Sequence, residues 1–418
     1  MFPDLPAPPA TSAEWKSASF EDRLAQLRRG ELRVAYYYDN PDSGTFRYRV
    51  YNMIEVIEAF GSASSRPSMS AAWFCRRDGD SLERVVEHAD ILVLCRARYS
   101  DRLGGLVTRA RNLGRQVVYD VDDLVIDIDH THLLAYSLDQ DMHDEAMWNE
   151  WFGYVGRLST LMRLCERVIV TNDYLAARVA ECSGKPVSVI PNFMNRAQLA
   201  YSDRLFEAKH ARRFAREAHL HIGYFSGSPS HNRDFEIASP ALGRLMANDP
   251  RIRLRVVGIL EVKGPAAQYA ERIERLPFQD YIRLQQLIAS TEINLAPLQD
   301  NMFTNCKSEL KYFEAAAAGT LTVASPTFVF AEAIDDGENG WLSANHQWDD
   351  KIAEAIAALD DGAQAYERMA VAARDHAKRL FAWDKQYEAI RDVLLCPGES
   401  RPATNGDRGR PAMIGVAS

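Results

Sequence analysis

Two lysines and a glutamate recur on one side of a predicted helix within residues 305–325. The run NCKSELKYFEAAAAGTLTVAS predicts a helix, a glycine stop and a buried strand. Lys307, Lys311 and Glu314 stand at i, i+4 and i+7, which places them on one helix face. Lysines near a helix N-terminus suit a diphosphate, and a carboxylate one to two turns further along suits the vicinal hydroxyls of a ribose. A solvated Lys–Glu face of an amphipathic helix is the alternative.

Residue types also predict where this helix begins and ends. Asn305 or Ser308 is expected to cap its start by accepting a hydrogen bond from a free backbone N–H. Gly319 stands where a left-handed residue ends a helix. Thr320 to Ala324 form a β-branched run of the kind found in parallel strands. The predicted unit is therefore a helix that precedes a central strand.

This segment, followed by IDDGENGWL, resembles the donor-binding signature of family 4-like glycosyltransferases of the GT-B fold. In that family a glutamate before a run of small residues and a glycine grips the ribose of the donor nucleotide, and Glu314 matches it. The family often has another glutamate eight positions earlier, where this chain has Cys306. The resemblance extends over roughly Leu32 to Leu395, and it implies two Rossmann-like domains that face each other across a cleft.

The first half of the chain alternates predicted strands and helices, which favours a parallel sheet covered on both faces. The first strand, LRVAYYY, is followed by the loop DNPDSGTFRYR and a helix. Gly44 would permit close approach of the backbone to a ligand. Arg47 and Arg49 are candidate anion contacts, with solvated loop arginines as the alternative. The resemblance implies that this loop approaches the donor phosphates or the acceptor.

Three acids follow the strand QVVY, at the strand end where open α/β sheets bind ligands. Asp120 and Asp122 form a D-x-D pair that could hold a metal, or that could serve a phosphohydrolase with an aspartyl nucleophile. The segment VYDVDDL also resembles one that faces the cleft in some bacterial family 4-like enzymes, and we favour this interpretation. It makes Asp122 and Asp123 candidate catalytic residues, together with Lys307.

The stretch after these acids offers further candidates. His130 and His132 are the histidines nearest to the expected cleft wall, and neither is assigned a role. As a metal pair they would need further ligands. Residues 131–167 are rich in Trp, Tyr and Met, and we expect them to form a helical cover on the sheet. Contact with an acceptor or a membrane is the alternative for this cover.

The second half opens with a strand and the loop GSPSHNRDF. Family members commonly place an arginine after the glycine and a lysine about five positions later, both on the donor phosphates. Here Ser228 follows Gly227, and Arg233 stands near the lysine position. Backbone N–H groups of Gly227 and Ser228 can bind phosphate oxygens. The resemblance therefore predicts a diphosphate site completed by Arg233 and by three residues of the later helix, Lys307, Ser308 and Lys311.

Composition narrows the class of protein. The chain has 418 residues and a net charge of −9, which argues against a general nucleic-acid binder. Its six scattered cysteines favour reduced thiols in a cytosolic protein. The sequence shows no secretion signal. It also shows no apolar run close to the ~20 residues needed to span a bilayer. We expect a cytoplasmic protein, with peripheral contact to the inner face of a membrane as a further option.

The predicted organisation has five parts. They are an N-terminal extension (1–30), an acceptor-side domain (31–200), a donor domain (218–382), a helix crossing back to the first domain (383–396) and a disordered tail (397–418). Residues 1–18 are rich in Pro, Ala and Ser and are expected to be loose, and the charged residues 200–217 are expected to form an exposed helix.

The predicted function is transfer of a hexosyl or related sugar from a nucleotide sugar to a glycan or lipid-linked glycan, in bacterial surface polysaccharide biosynthesis. Retention of configuration, no cofactor and no metal are expected. The alternatives are a non-catalytic GT-B relative that binds a nucleotide sugar or a partner glycosyltransferase, and a metal-dependent phosphohydrolase that uses Asp120 and Asp122.

Overall fold

The computed structural model describes residues 1–9, 15, 17–41, 44–61, 67–227, 232–360 and 364–395. The tail predicted at 397–418 lies outside them. The strands of the first sheet are β1 (Leu32–Tyr38), β2 (Met69–Cys75), β3 (Ile91–Cys95), β4 (Gln116–Asp120), β5 (Arg167–Val170) and β6 (Val187–Val189). Those of the second are β7 (Leu220–Ser226), β8 (Ile252–Gly258), β9 (Ile273–Leu276), β10 (Ile293–Ala296), β11 (Leu321–Ala324) and β12 (Trp341–Leu342).

Both sheets have six parallel strands, in the orders β2-β1-β3-β4-β5-β6 and β12-β11-β10-β7-β8-β9. Apolar runs such as ILVLC in β3 are buried at every position, as expected for strands covered on both faces. The predicted α/β class with two Rossmann-like parallel sheets is confirmed. The predicted domain boundaries stay a prediction.

Helices cover both faces of each sheet. In the first half they are α1 (Phe20–Leu27), α2 (Asn52–Phe60), α3 (Leu82–His88), α4 (Asp101–Asn112), α5 (Thr131–Ser137), α6 (Glu145–Leu164) and α7 (Asp173–Ser183). In the second half they are α8 (Arg196–Ala211), α9 (Asn232–Asn248), α10 (Tyr281–Ser290), α11 (Met302–Asn305), α12 (Leu310–Ala317), α13 (Phe328–Ala333), α14 (Trp348–Asp360), α15 (Gln364–Phe381) and α16 (Tyr387–Leu395). Shorter 3₁₀ or π turns lie at Arg47–Tyr51, Arg76–Ser81, Ile128–His130, Pro265–Arg272 and Trp383–Lys385. In α16, the carbonyl of Val393 accepts a hydrogen bond from Arg167 of the first sheet at 2.6 Å.

The helix that carries Glu314 begins later than its sequence predicted. α12 starts at Leu310, and the preceding residue makes no side-chain capping bond. Asn305 instead ends the short helix α11, and its side chain accepts a hydrogen bond from the backbone N–H of Phe328 at 2.8 Å. The prediction of a cap at Asn305 or Ser308 was therefore wrong. The C-terminal end of α12 is as predicted, since Gly319 has a φ of +68° and β11 follows.

Two expectations of loose or exposed structure were also wrong. Residues 200–217 were expected to form an exposed charged helix, but Leu205, Phe206 and Lys209 of α8 are buried. The Lys209 ammonium lies against the end of α12 and donates to the carbonyls of Ala318 and Gly319. The first residues of the chain were expected to be loose, but Phe2 is 2% exposed and packs on the second half of the molecule.

Candidate functional site

A cleft runs between the carboxyl ends of the two sheets. One part has a volume of about 780 Å³ and the other about 570 Å³. Five residues line both parts, which makes the cleft continuous: Gly44, Tyr48, Gly227, Leu310 and Lys311. The site that the sequence placed between two domains therefore exists as a cavity large enough for a nucleotide sugar.

Glu314 lies in the smaller part of the cleft and is 8% exposed. Its Oε1 accepts hydrogen bonds from the Tyr48 hydroxyl and from Nε2 of Gln198, the latter at 2.8 Å. The guanidinium of Arg47 lies 3.5 Å from the same oxygen. The carboxylate is thus held by donors from the first domain and from α8, so that it faces the seam between the domains.

A π-helical turn at the start of α2 orients the side chains of Arg47 and Tyr48. The backbone N–H of Asn52 bonds to the carbonyl of Arg47, five residues earlier. Such a wide turn is common at functional sites. It directs Arg47 and Tyr48 toward the second domain. The next arginine points the other way, since Arg49 binds both oxygens of Asp120 at 2.8 and 2.9 Å inside the first domain.

That buried pair corrects two expectations. Arg49 is fully buried and cannot contact a ligand in the cleft. Asp120 is 1% exposed and both of its oxygens are occupied, so it is not available as a nucleophile toward a phosphate. The phosphohydrolase alternative, which needs Asp120, is not supported by this geometry.

Lys311 lines both parts of the cleft. Its ammonium nitrogen is buried, makes no hydrogen bond with any described residue, and lies 4.2 Å from the centre of the Tyr224 ring. Burial lowers the pKa of Lys311 to about 7, while the carboxylate of Asp234 opposes this shift and the charge of Lys307 adds to it. The Lys307 ammonium itself lies 3.8 Å from the buried Asp234 carboxylate. A lysine beside a cavity whose ammonium makes no hydrogen bond is suited to receive an anion.

The remaining predicted donor contacts are placed as follows. Ser308 and Gly227 line the larger part of the cleft, and a Cβ built on Gly227 would meet no atom of the described residues within 4 Å. Ser228 lies outside the described residues. Arg233 turns away from the cleft, because its guanidinium binds Asp139 at 3.0 Å and stacks on Tyr136. The predicted phosphate contact of Arg233 is therefore not made in this arrangement.

The first-domain wall carries the other two candidate catalytic residues. Asp122 accepts hydrogen bonds from the Thr45 hydroxyl at 2.8 Å and from Arg96 at 3.1 Å. Asp123 lies 3.5 Å from the same guanidinium and keeps 28% of its side chain exposed. Burial of its carboxyl raises the pKa of Asp123 to about 6, with repulsion from Asp122 acting in the same direction. These carboxylates face Lys307 and Lys311 across the cleft.

Several residues of the site had not been predicted. They are Thr45, Tyr48, Arg96, Gln198, Phe278 and Tyr281. Arg96 directly follows β3, and Cys95 pairs with Asp120 of β4. The strand-end rule that identified the acids would have found this arginine too. Its φ of +45° is a strained conformation of the kind that persists at functional sites.

The aromatic cover on the first sheet is formed by α5 and α6. Trp151 and Tyr154 line the cleft, and Val155, Leu158 and Met162 are buried against the sheet. The expected helical cover is therefore present, although Phe152 remains 46% exposed. In the part of the chain that is described, no helix is both long and apolar enough to cross a membrane. His130 and His132 are not among the residues that line the cleft.

Comparison with known proteins agrees with this architecture. The sequence family described as Glycosyl transferases group 1 matches residues 220–361. No curated protein matches the chain by sequence.

Solved structures share the fold. HepE of Anabaena, solved with UDP and glucose, has a TM-score of 0.55 at 15% identity, with 86% of this chain and 98% of that chain covered. A glycosyltransferase from Rickettsia africae has a TM-score of 0.54 at 13% identity (87% and 98% covered). Sucrose-phosphate synthase from Thermosynechococcus elongatus has a TM-score of 0.52 at 14% identity (86% and 98% covered).

These likenesses establish the two-domain GT-B fold, and the family match covers the domain that carries Glu314 and both lysines. Residues 220–361 match the model of the family described as Glycosyl transferases group 1, which agrees with the glycosyltransferase resemblance predicted for this part of the sequence.

Proposed function

We propose that the protein transfers a sugar from a nucleoside diphosphate sugar to a hydroxyl group of a glycan or lipid-linked glycan. The observation that carries the proposal is Lys311, which lines the cleft one helical turn from Glu314 and whose buried ammonium has no hydrogen-bond partner among the described residues. A diphosphate would supply the missing partner, and the ribose hydroxyls would lie on Glu314. The family match of the second domain supports the same chemistry.

In this proposal the cations drive departure of the leaving group. Negative charge develops on the diphosphate as the sugar bond breaks, and Lys311 and Lys307, whose side chains are largely buried, would stabilise it. Gly227 leaves space for a phosphate oxygen against its backbone. On the opposite wall, Asp122 and Asp123 would orient the acceptor hydroxyl. We propose retention of configuration for the hexosyl or related sugar, with bacterial surface polysaccharide biosynthesis as the setting.

Uracil is our first choice of base, because HepE was solved with UDP and with UDP-glucose. The experiment that tests the function is release of UDP from UDP-sugars, measured with and without a polysaccharide or lipid-linked acceptor. Release that increases with acceptor supports an enzyme. Donor binding without release under any condition would favour the non-catalytic GT-B relative.

Asp123 gives the proposal a pH dependence. An ionised carboxylate accepts a hydrogen bond from the acceptor hydroxyl more strongly than a neutral carboxyl does, so activity should fall as the pH drops through about 6, the raised pKa of this group. Asp123→Asn should lower kcat roughly tenfold, as for one hydrogen bond to a charged group, and should remove this acidic limb. Rate profiles from pH 5 to 8 measure both effects. An unchanged limb in the variant would contradict the role of Asp123.

We further propose that catalysis needs no metal, because lysines and backbone donors take the place of a cation at the diphosphate. Full transfer activity is expected in EDTA. If chelation abolishes transfer and Mg²⁺ or Mn²⁺ restores it, the acids of the DVDD segment are ligands and their proposed role is wrong.

For location we propose the cytoplasm, with α6 as the candidate for peripheral contact with the membrane. The exposed Phe152 and the nearby Arg157 and Arg163 motivate this idea, although both arginines already bond to backbone carbonyls. Vesicles with anionic lipids should then carry the protein in a flotation gradient at low salt and release it as salt rises. Protein that stays wholly in the soluble fraction at low salt would contradict membrane contact.

A further inference from the structure

The beginning of the chain is anchored on the second domain. The backbone N–H of Phe2 donates to the carbonyl of Ser290 at 3.1 Å, and its ring packs against Phe214 and Tyr366. The carbonyl of Pro6 accepts a hydrogen bond from the Tyr201 hydroxyl at 2.7 Å. Residues 1–9 thus do not belong to the domain that immediately follows them in sequence.

The first helix after these residues, α1, belongs to the first domain, where it packs on β2. The N-terminal strap, defined as the described residues 1–9, 15 and 17–19, therefore contacts both domains. Within this strap, Trp15 lies between the two domains and is 4% exposed. Its ring contacts Phe46 and Tyr51 of the first domain, with centroids 5.8 and 4.8 Å away. It also stacks on Tyr281 of the second domain at 6.3 Å and an interplanar angle of 25°.

The partners of Trp15 lead directly to the donor site. Tyr281 begins α10 and lines the smaller part of the cleft. The Arg47 guanidinium lies 4.6 Å from the centre of the Tyr281 ring and 3.9 Å from that of Tyr48. Trp15, Tyr281, Arg47 and Tyr48 therefore form a continuous column that ends at the carboxylate of Glu314.

We propose that Trp15 is a positioning residue for the donor, which it orders by holding Tyr281 and Arg47 against each other across the domain seam. Trp15 does not itself line the cleft and acts only through these neighbours. The inference rests on the proposed function, since it takes the smaller part of the cleft to be the nucleotide site. Trp15 joins one aromatic ring of the second domain to two of the first, and such pairs favour particular geometries beyond the burial of their area.

The test compares Trp15→Ala with Trp15→Phe and with Trp383→Ala. The third variant is a control, because Trp383 packs on the aromatic ring of Phe60 and does not line the cleft. Trp15→Ala should weaken UDP binding in calorimetry by about threefold to tenfold, the range that follows from loss of one aromatic stack. Trp15→Phe should recover most of this loss, and Trp383→Ala should show none.

A second readout needs no ligand. Hydrogen exchange of the backbone in peptides covering 44–51 and 278–284 should accelerate together in Trp15→Ala, because one ring is removed from both sides of the seam. If only the first-domain peptide changes, Trp15 is a local packing residue and the inference is overturned. If the unaltered protein binds no UDP while both peptides still respond, the nucleotide proposal fails and the strap remains a link between the domains.

Discussion

Replacing Lys311 with methionine is expected to lower kcat by about 10²–10³-fold, the usual cost of removing one preorganised group that stabilises developing charge. Methionine keeps an unbranched stem and removes the ammonium that is proposed to bind the diphosphate. The fold should survive, because the native ammonium is buried without a hydrogen-bond partner among the described residues and its removal ends a desolvation cost. Steady-state kinetics of UDP release and thermal denaturation measure the two effects.

The same lysine should make nucleotide binding depend on pH. The pKa of Lys311 is lowered to about 7 in the free protein, so the side chain is protonated below that pH and neutral above it. A bound diphosphate favours the charged form and raises this pKa. Binding above pH 7 must therefore take up a proton, and UDP affinity should fall with rising pH, by at most about tenfold per unit for one proton. The terminal phosphate is already ionised there, since its second pKa is about 6.

Calorimetry in buffers of different ionisation enthalpy measures this proton uptake directly. Lys311→Met should abolish it, whereas Lys351→Met should leave it unchanged because Lys351 pairs with Asp336 outside the cleft. Proton uptake that persists in Lys311→Met would contradict the placement of the diphosphate at this lysine.

Glu314→Ala is expected to reduce affinity for the nucleoside diphosphate by roughly 1.5–3 kcal/mol, the usual contribution of hydrogen bonds to a charged group. The ribose hydroxyls would lose their acceptor, and Arg47 and Tyr48 would lose the oxygen that holds them at the seam. Glu314→Gln keeps an oxygen for these donors but removes the charge. Its affinity for the nucleoside diphosphate should therefore lie between those of the unaltered protein and Glu314→Ala. Unchanged affinity in a folded Glu314→Ala protein would show that this residue does not hold the ribose.

The parts of the fold that follow from neighbouring residues were predicted well. Buried strands such as β3 and the left-handed Gly319 are determined by short apolar runs and by backbone sterics. Lys311 and Glu314 could be paired from sequence because three residues bring them onto one helix face. Local reasoning thus found both the helix and the edge of the sheet that bear the candidate site.

The partners of these residues could not be predicted, because they come from distant parts of the chain. Tyr48 and Glu314 are 266 residues apart, and no periodicity connects them. Charged α8 looked exposed in sequence, yet Lys209 is buried because two helix-end carbonyls compensate its ammonium. Phe2 and Trp15 lie in a Pro- and Ala-rich stretch whose composition suggested loose structure. Each packs instead on an aromatic ring from a distant part of the sequence, Phe2 on Phe214 and Trp15 on Tyr281.

The central claim is that Lys311 and Glu314 hold a nucleoside diphosphate between the two domains. The most direct test is a crystal structure with the nucleoside diphosphate that most raises the melting temperature, since a ligand of the folded form stabilises it. The account predicts ribose hydroxyls on the Glu314 carboxylate and phosphate oxygens on Lys311 and beside Gly227. A nucleotide bound elsewhere, with this cleft empty, would contradict it.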